Sequence, residues 1–128
     1  KRTLLGFRSG KINAHYFENL TNSLKYKPQQ FIDRITRPKC WGMKGHTEMK
    51  FDAIVGNPPY QETLGGASPL PIYQYFVSTM KSLAPDYASL IIPARWFNTG
   101  TGLDDFREDM LHDKRLKVMH DYIDAREC

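Results

Sequence analysis

The chain has 128 residues and 41% hydrophobic residues, one domain's worth and enough for one modest core. Its net charge of +4 is unevenly held: residues 1–50 carry eleven Lys/Arg against three Asp/Glu, whereas residues 51–128 carry seven against eleven. No apolar run approaches the roughly 18 residues that span a bilayer, and no charged-then-apolar leader opens the chain, so no membrane role is expected. Cys40 and Cys128 lie far apart with no CxxC pair, which argues against a disulfide framework or a zinc site and for a reducing cytoplasm. The chain opens on Lys1 and closes at Cys128 without a helix stop, so it reads as an excerpt of a longer protein, although a processed or tagged chain would look similar.

Residues 12–26 predict a helix, capped by Asn13, with Tyr16, Phe17, Leu20 and Leu24 on one face. A second helix is expected to start with Pro28 in its first turn, to bury Phe31, Ile32 and Ile35, and to stop at Arg37-Pro38. Residues 38–50 read as a polar loop. Phe51 to Gly56 is short and nearly all apolar, as expected of a strand buried on both faces of a parallel sheet. Residues 57–71 hold four of the eight prolines and predict a loop. Helical period returns over 72–83, with Ile72, Tyr75, Phe76, Met80 and Leu83 on one face, and Pro85-Asp86 ends it. Residues 87–93 predict a second strand. Residues 103–112 predict a helix after a cap at Thr101, with Asp104 and Asp105 where the macrodipole favours negative charge. Residues 116–123 are a third strand candidate. Alternating strands and helices predict an α/β fold, a partial Rossmann-like doubly wound sheet. The chain divides into a basic, mainly helical segment, 1–50, and a catalytic part, 51–128.

In such sheets ligands bind beyond the carboxyl ends of the strands. Asn57-Pro58-Pro59-Tyr60 sits at that place. Two prolines fix two φ angles and remove two N–H donors, leaving the carbonyls of Asn57 and Pro58 without local partners. The Asn57 side chain adds a further acceptor and Tyr60 a flat aromatic face. Two rigid acceptors beside a stacking platform suit a planar amine, such as the exocyclic amino group of a base. Accepting both of its N–H bonds draws the nitrogen towards tetrahedral geometry and frees its lone pair to attack a methyl sulfonium. An isolated Pro-Pro could equally make a stiff exit from a strand, with Tyr60 packed on the core.

The stretch from Phe51 to Gln61, FDAIVGNPPYQ, resembles the catalytic region of N6-adenine DNA methyltransferases of restriction–modification systems. The resemblance continues through the following helix and LIIPARWF (90–97), and covers residues 51–127. It implies transfer of a methyl group from S-adenosylmethionine to the N6 amino group of adenine in double-stranded DNA. By that resemblance, Asn57 and Pro58 hold the target amine, Pro59 holds the loop geometry, and Tyr60 stacks on the flipped adenine. Two family features are missing: a Gly-containing cofactor loop after a first strand, and an acidic residue for the ribose. The cluster Gly6 to Lys11 follows no strand and reads as a turn. The main cofactor-binding residues are therefore expected outside this chain, which by itself would carry little or no activity.

Alternatives remain at this stage. The same four residues occur in methyltransferases acting on RNA bases or a protein glutamine amide, and a non-catalytic nucleic-acid-binding module could keep the loop. His15, His46, His112 and His120 have no metal-ligand spacing, and Asp104, Asp105, Glu108 and Asp109 read as a solvated helix face. Arg95, Trp96 and Phe97 could contact substrate or pack a strand end. Lys25, Lys27, Arg34, Arg37, Lys39 and Lys44 are candidate phosphate contacts or a solvated basic surface.

Overall fold

The computed structural model of the chain describes residues 14–63, 68–98 and 102–122. These form two compact units, one within Lys1–Val55 and Tyr75–Ser89, the other within Gly56–Gln74 and Leu90–Cys128.

Helix α1 (Leu20–Tyr26) is shorter than the expected 12–26. Asn19 adopts the left-handed conformation, φ 52° and ψ 36°, through which a right-handed helix cannot run. Its carbonyl receives the Ser23 N–H at 3.0 Å and the Ser23 hydroxyl at 3.2 Å. Ahead of it, Phe17 lies edge-on to Phe31 at 5.3 Å and to Trp41 at 6.2 Å, while Tyr16 is exposed instead of packed. The expected cap, Asn13, and the Gly6 to Lys11 turn lie outside the described residues.

Helix α2 (Pro28–Ile35) starts on the proline whose missing N–H costs nothing at a helix start. Ile35 is buried, with Phe31 and Ile32 half-buried beside it. Arg37 is extended ahead of Pro38, as its position before a proline requires. The loop expected over 38–50 opens instead with a 3₁₀ turn, Pro38–Trp41, closed by Gly42 at φ 69°. This turn brings the Trp41 indole N–H to the Ile35 carbonyl at 2.6 Å and its ring edge-on to His15 at 4.7 Å. The next carbonyl, of Thr36, accepts the Met49 N–H at 2.7 Å.

The remaining elements are β1 (Ala53–Gly56), β2 (Gln61–Glu62), β3 (Leu70–Pro71), α3 (Tyr73–Leu83), β4 (Tyr87–Leu90), a 3₁₀ turn (Ala94–Phe97) and α4 (Asp104–His112). β1 and β4 pair as a two-stranded sheet. The Tyr87 N–H donates to the Asp52 carbonyl at 2.9 Å and the Ile91 N–H to the Gly56 carbonyl at 3.0 Å. Donors and acceptors advance together by four residues, the pattern of parallel strands. Helices accompany a small parallel sheet, as the α/β expectation required at this level of detail.

Burial of β1 on both faces is not found. Val55 is 76% exposed and Ile54 half-buried, because β1 pairs with β4 and with no other strand among the described residues. Within 57–71, expected as loop throughout, β2 and β3 form a short antiparallel ribbon with Gln61 opposite Pro71 and Glu62 opposite Leu70. A proline is tolerated there because so short a ribbon is all edge.

The inward stripe of α3 also differs. Ile72, Tyr73, Val77 and Thr79 are buried, whereas Tyr75, Phe76, Met80 and Leu83 are half-buried. Thr79 can sit inside because its hydroxyl donates to the Tyr75 carbonyl at 2.8 Å, one turn back. α3 ends as expected near Pro85, with Ala84 at φ 46°. α4 carries Asp104 and Asp105 in its first turn, but Leu103 occupies the cap position without a side-chain bond, and Thr101 lies outside the described residues. The third strand is not formed over 116–122, where Leu116, Val118, Met119 and Tyr122 are all exposed. Strand backbone needs a neighbour for its N–H and C=O groups, and among the described residues none lies beside this segment.

Candidate active site

Asn57 to Tyr60 leave the carboxyl end of β1, and the whole loop belongs to the second unit. Its backbone is held at both ends. Pro58 is buried, and the Tyr60 carbonyl accepts the Ile72 N–H at 3.1 Å, tying the loop's exit to the start of α3. The proline rings fix φ at the two positions between. Asn57 and Pro59 are exposed, and Tyr60 is 43% exposed. Among the described residues no hydrogen bond engages the Asn57 side chain or the carbonyls of Asn57 and Pro58. Three acceptors without a partner among the described residues and one aromatic face thus lie on a stiff backbone. A Cβ added at Gly56 would meet the Leu90 Cδ2 at 3.6 Å, an ordinary contact, so the space within this chain does not demand glycine there.

The segment after β4 supplies the neighbours. Trp96 is buried, edge-on to Phe106 at 5.9 Å, and Phe106 in turn meets Tyr73 at 5.8 Å. With Leu103, which is 2% exposed, these rings form the small core of the second unit. Trp96 therefore packs. Arg95 stays exposed, and its guanidinium donates to the Gln61 side-chain oxygen at 3.4 Å, one residue beyond Tyr60. Of the trio Arg95, Trp96 and Phe97, it is Arg95 that reaches the loop's end.

Tyr73 escaped the sequence reading, because it falls beside the apolar face assigned to its helix. Its hydroxyl is buried without a hydrogen-bond partner among the described residues. Burial pushes its pKa up, while the Arg95 charge and the Trp96 backbone pull the other way. The Trp96 backbone is near enough to bias that titration yet outside hydrogen-bonding geometry. The adjacent Gln74 donates its side-chain N–H to the Pro71 carbonyl at 2.9 Å, and its side-chain oxygen is likewise unpartnered.

The histidine and α4 carboxylate candidates have other surroundings. His15 packs on Trp41, and the His112 ring nitrogen Nδ1 lies 2.8 Å from the Glu108 carbonyl oxygen. Asp104, Asp105, Glu108 and Asp109 are exposed along α4. No group of three His, Cys, Asp or Glu side chains among the described residues could hold a metal ion, and no described helix is long and apolar enough to cross a membrane.

The sequence pattern of the Eco57I restriction-modification methylase family matches residues 1–128. A Mycoplasma pneumoniae protein described as an uncharacterized adenine-specific methylase is 35% identical over 85 residues, which cover 62% of this chain. The match spans 20% of that relative's length. No solved structure matches the chain.

Proposed function

The chain belongs to the Eco57I restriction-modification methylase family, and from that premise we propose that it carries the acceptor-holding face of an enzyme that methylates N6 of adenine in duplex DNA within a restriction–modification system. One observation carries the reading: the Asn57 and Pro58 carbonyls and the Asn57 side chain, without hydrogen-bond partners among the described residues, adjoin an exposed Tyr60 on a backbone anchored by the buried Pro58 ring and the Tyr60–Ile72 hydrogen bond.

The Asn57 side-chain oxygen and the Pro58 carbonyl each accept one N–H of the target amine. The Pro58 carbonyl, held by the proline backbone before the substrate arrives, costs no reorganisation during the reaction, and the Asn57 side chain turns from the same stiff backbone to meet the amine. As the two bonds tighten, the nitrogen leaves the plane of the base and its lone pair becomes available. Pro59 keeps the spacing of the two acceptors, and Tyr60 stacks on the extruded base. Extrusion is required because the amino group is otherwise engaged in base pairing. S-adenosylmethionine, when bound, supplies an electrophilic methyl group.

The loop's hydrogen-bond acceptors and aromatic face suit the methyl-accepting amine of a base. The reading leaves the main cofactor contacts to residues outside this chain, within a doubly wound sheet larger than the pair β1–β4. It also places the enzyme in the cytoplasm, where its DNA is. Labelled S-adenosylmethionine offered to the full-length protein with duplex DNA, RNA and protein substrates tests the reading. Label recovered as N6-methyladenine from the duplex is the expected result; label on RNA or protein alone overturns it.

A further inference from the structure

The helical unit holds a cluster that the loop chemistry leaves unused. Gln30, Asp33, Arg34 and Arg37 recur at spacings of three and four along α2 and just past its end, so they share one face. With Lys39 and Cys40 of the following 3₁₀ turn they line an open cleft of about 540 Å³. Three cations and one anion therefore face one space. The Asp33 carboxylate accepts the Gln29 side-chain N–H at 2.7 Å. No carboxylate among the described residues pairs with Arg34, Arg37 or Lys39. The Arg34 guanidinium lies 5.3 Å from the centre of the Phe17 ring, a contact that restrains it without neutralising it.

Cations near a helix C-terminus have a plain structural explanation, attraction to the negative end of the macrodipole. It accounts for little of this cluster. The carbonyls of Ile35 and Thr36 are already hydrogen-bonded, by the Trp41 indole and the Met49 amide, and Arg37 and Lys39 lie beyond the helix.

Resting on the DNA reading above, we infer that this cleft is a second DNA-contact site, which binds the phosphate backbone of the duplex without reading its bases. Arginine forks match phosphate oxygens two at a time, lysine adds a point charge, and the Gln30 amide can donate to a further phosphate oxygen. Such contacts hold and orient a duplex while base contacts elsewhere specify the sequence.

The test uses the full-length protein and a duplex lacking its target sequence, with binding followed over a salt series. Each lost phosphate contact lowers the magnitude of the log-affinity against log-salt slope by about 0.9, so Arg34→Gln/Arg37→Gln/Lys39→Gln lowers it by about 2–3. The charge-keeping set Arg34→Lys/Arg37→Lys/Lys39→Arg retains the wild-type slope. Cys40, a free thiol lining the same cleft, gives a second readout. The duplex slows its alkylation in the wild type, resolved from Cys128 by peptide mass, and slows it less in the glutamine set. An unchanged slope in the glutamine set, a lost slope in the charge-keeping set, or Cys40 alkylation indifferent to DNA overturns the inference. A loss confined to RNA binding overturns the choice of duplex DNA. Methyl transfer by the wild type reports separately on the proposed function: no methyl on DNA, with the slope change intact, would remove that function and leave the cleft standing.

Discussion

Around Trp41, the polar groups that end α2 are met from within the chain: the indole donates to Ile35, and the Met49 amide donates to Thr36. Around Asn57 to Tyr60 the reverse holds, with the acceptors and the buried Tyr73 hydroxyl lacking partners among the described residues. The contrast separates what folding satisfies from what a ligand must satisfy. A buried polar group left without a partner costs about 1–3 kcal/mol, so a chain tends to leave such groups only where something else completes them. Among the described residues, the helical unit offers cations without an ion-pair partner, and the loop unit offers acceptors without a hydrogen bond.

Four substitutions in the full-length protein test that contrast. Trp96→Ala has the largest expected effect, because it removes the buried indole from the loop unit's core. A loss of about 3–5 kcal/mol is expected, read as amide exchange in α4 faster by about 10²–10⁴-fold, with exchange in α2 unaffected. Were α2 to loosen equally, the two units would not be separate in stability. Asn57→Ala comes next. Deleting one preorganised polar contact to a reacting group costs about 10²–10³ in rate, so methyl transfer falls by that much. The thermal midpoint stays put, since Asn57 is exposed with no partner among the described residues. Survival of methylation would remove the role assigned to the loop.

Tyr60→Ala is expected to weaken binding of the extruded base by about 1–3 kcal/mol, the usual worth of one stacking contact, while Tyr60→Phe keeps most of it. Equal losses in the two variants would mean that the hydroxyl matters and the stacking face does not. The smallest effect belongs to Tyr73→Phe. It removes an unpartnered buried hydroxyl and should leave stability at neutral pH unchanged or raised by up to about 1 kcal/mol. Burial raises the Tyr73 pKa above its ordinary value of 10.0. The native state therefore binds this proton more tightly than the unfolded chain does. The stability it contributes is complete below that ordinary value and is lost as pH rises through the raised one. An alkaline denaturation series should show this limb in the wild type and a weaker one in Tyr73→Phe. A clear loss of neutral-pH stability would mean that the hydroxyl has a partner after all.

Much of the architecture was legible in advance where a residue type forces the backbone. Pro28 starts α2, Pro38 stops it, and Pro85 follows the end of α3, because proline's fixed φ and missing N–H act locally. Legibility failed where the outcome depends on distant partners. The helix expected over 12–26 lost its first half to Asn19 and the packing of Phe17. The inward stripe of α3 shifted to Tyr73, Val77 and Thr79, since Thr79 satisfies its own hydroxyl one turn back. The ribbon β2–β3 was hidden by its prolines, and the segment 116–122 has strand composition without a strand to pair with.

The chemistry of Asn57-Pro58-Pro59-Tyr60 was determined by the sequence alone, because residue identity sets which atoms can accept, which angles are fixed and which face can stack. The tertiary structure decided which of those groups remain available. It buried Pro58 and opened Asn57, sent Trp96 inward and Arg95 towards Gln61, and stranded the Tyr73 hydroxyl. It also gathered Arg34, Arg37 and Lys39 with Asp33 on one cleft, where no carboxylate among the described residues pairs with the three cations. Availability depends on burial and competing partners, and these come from residues far away in sequence.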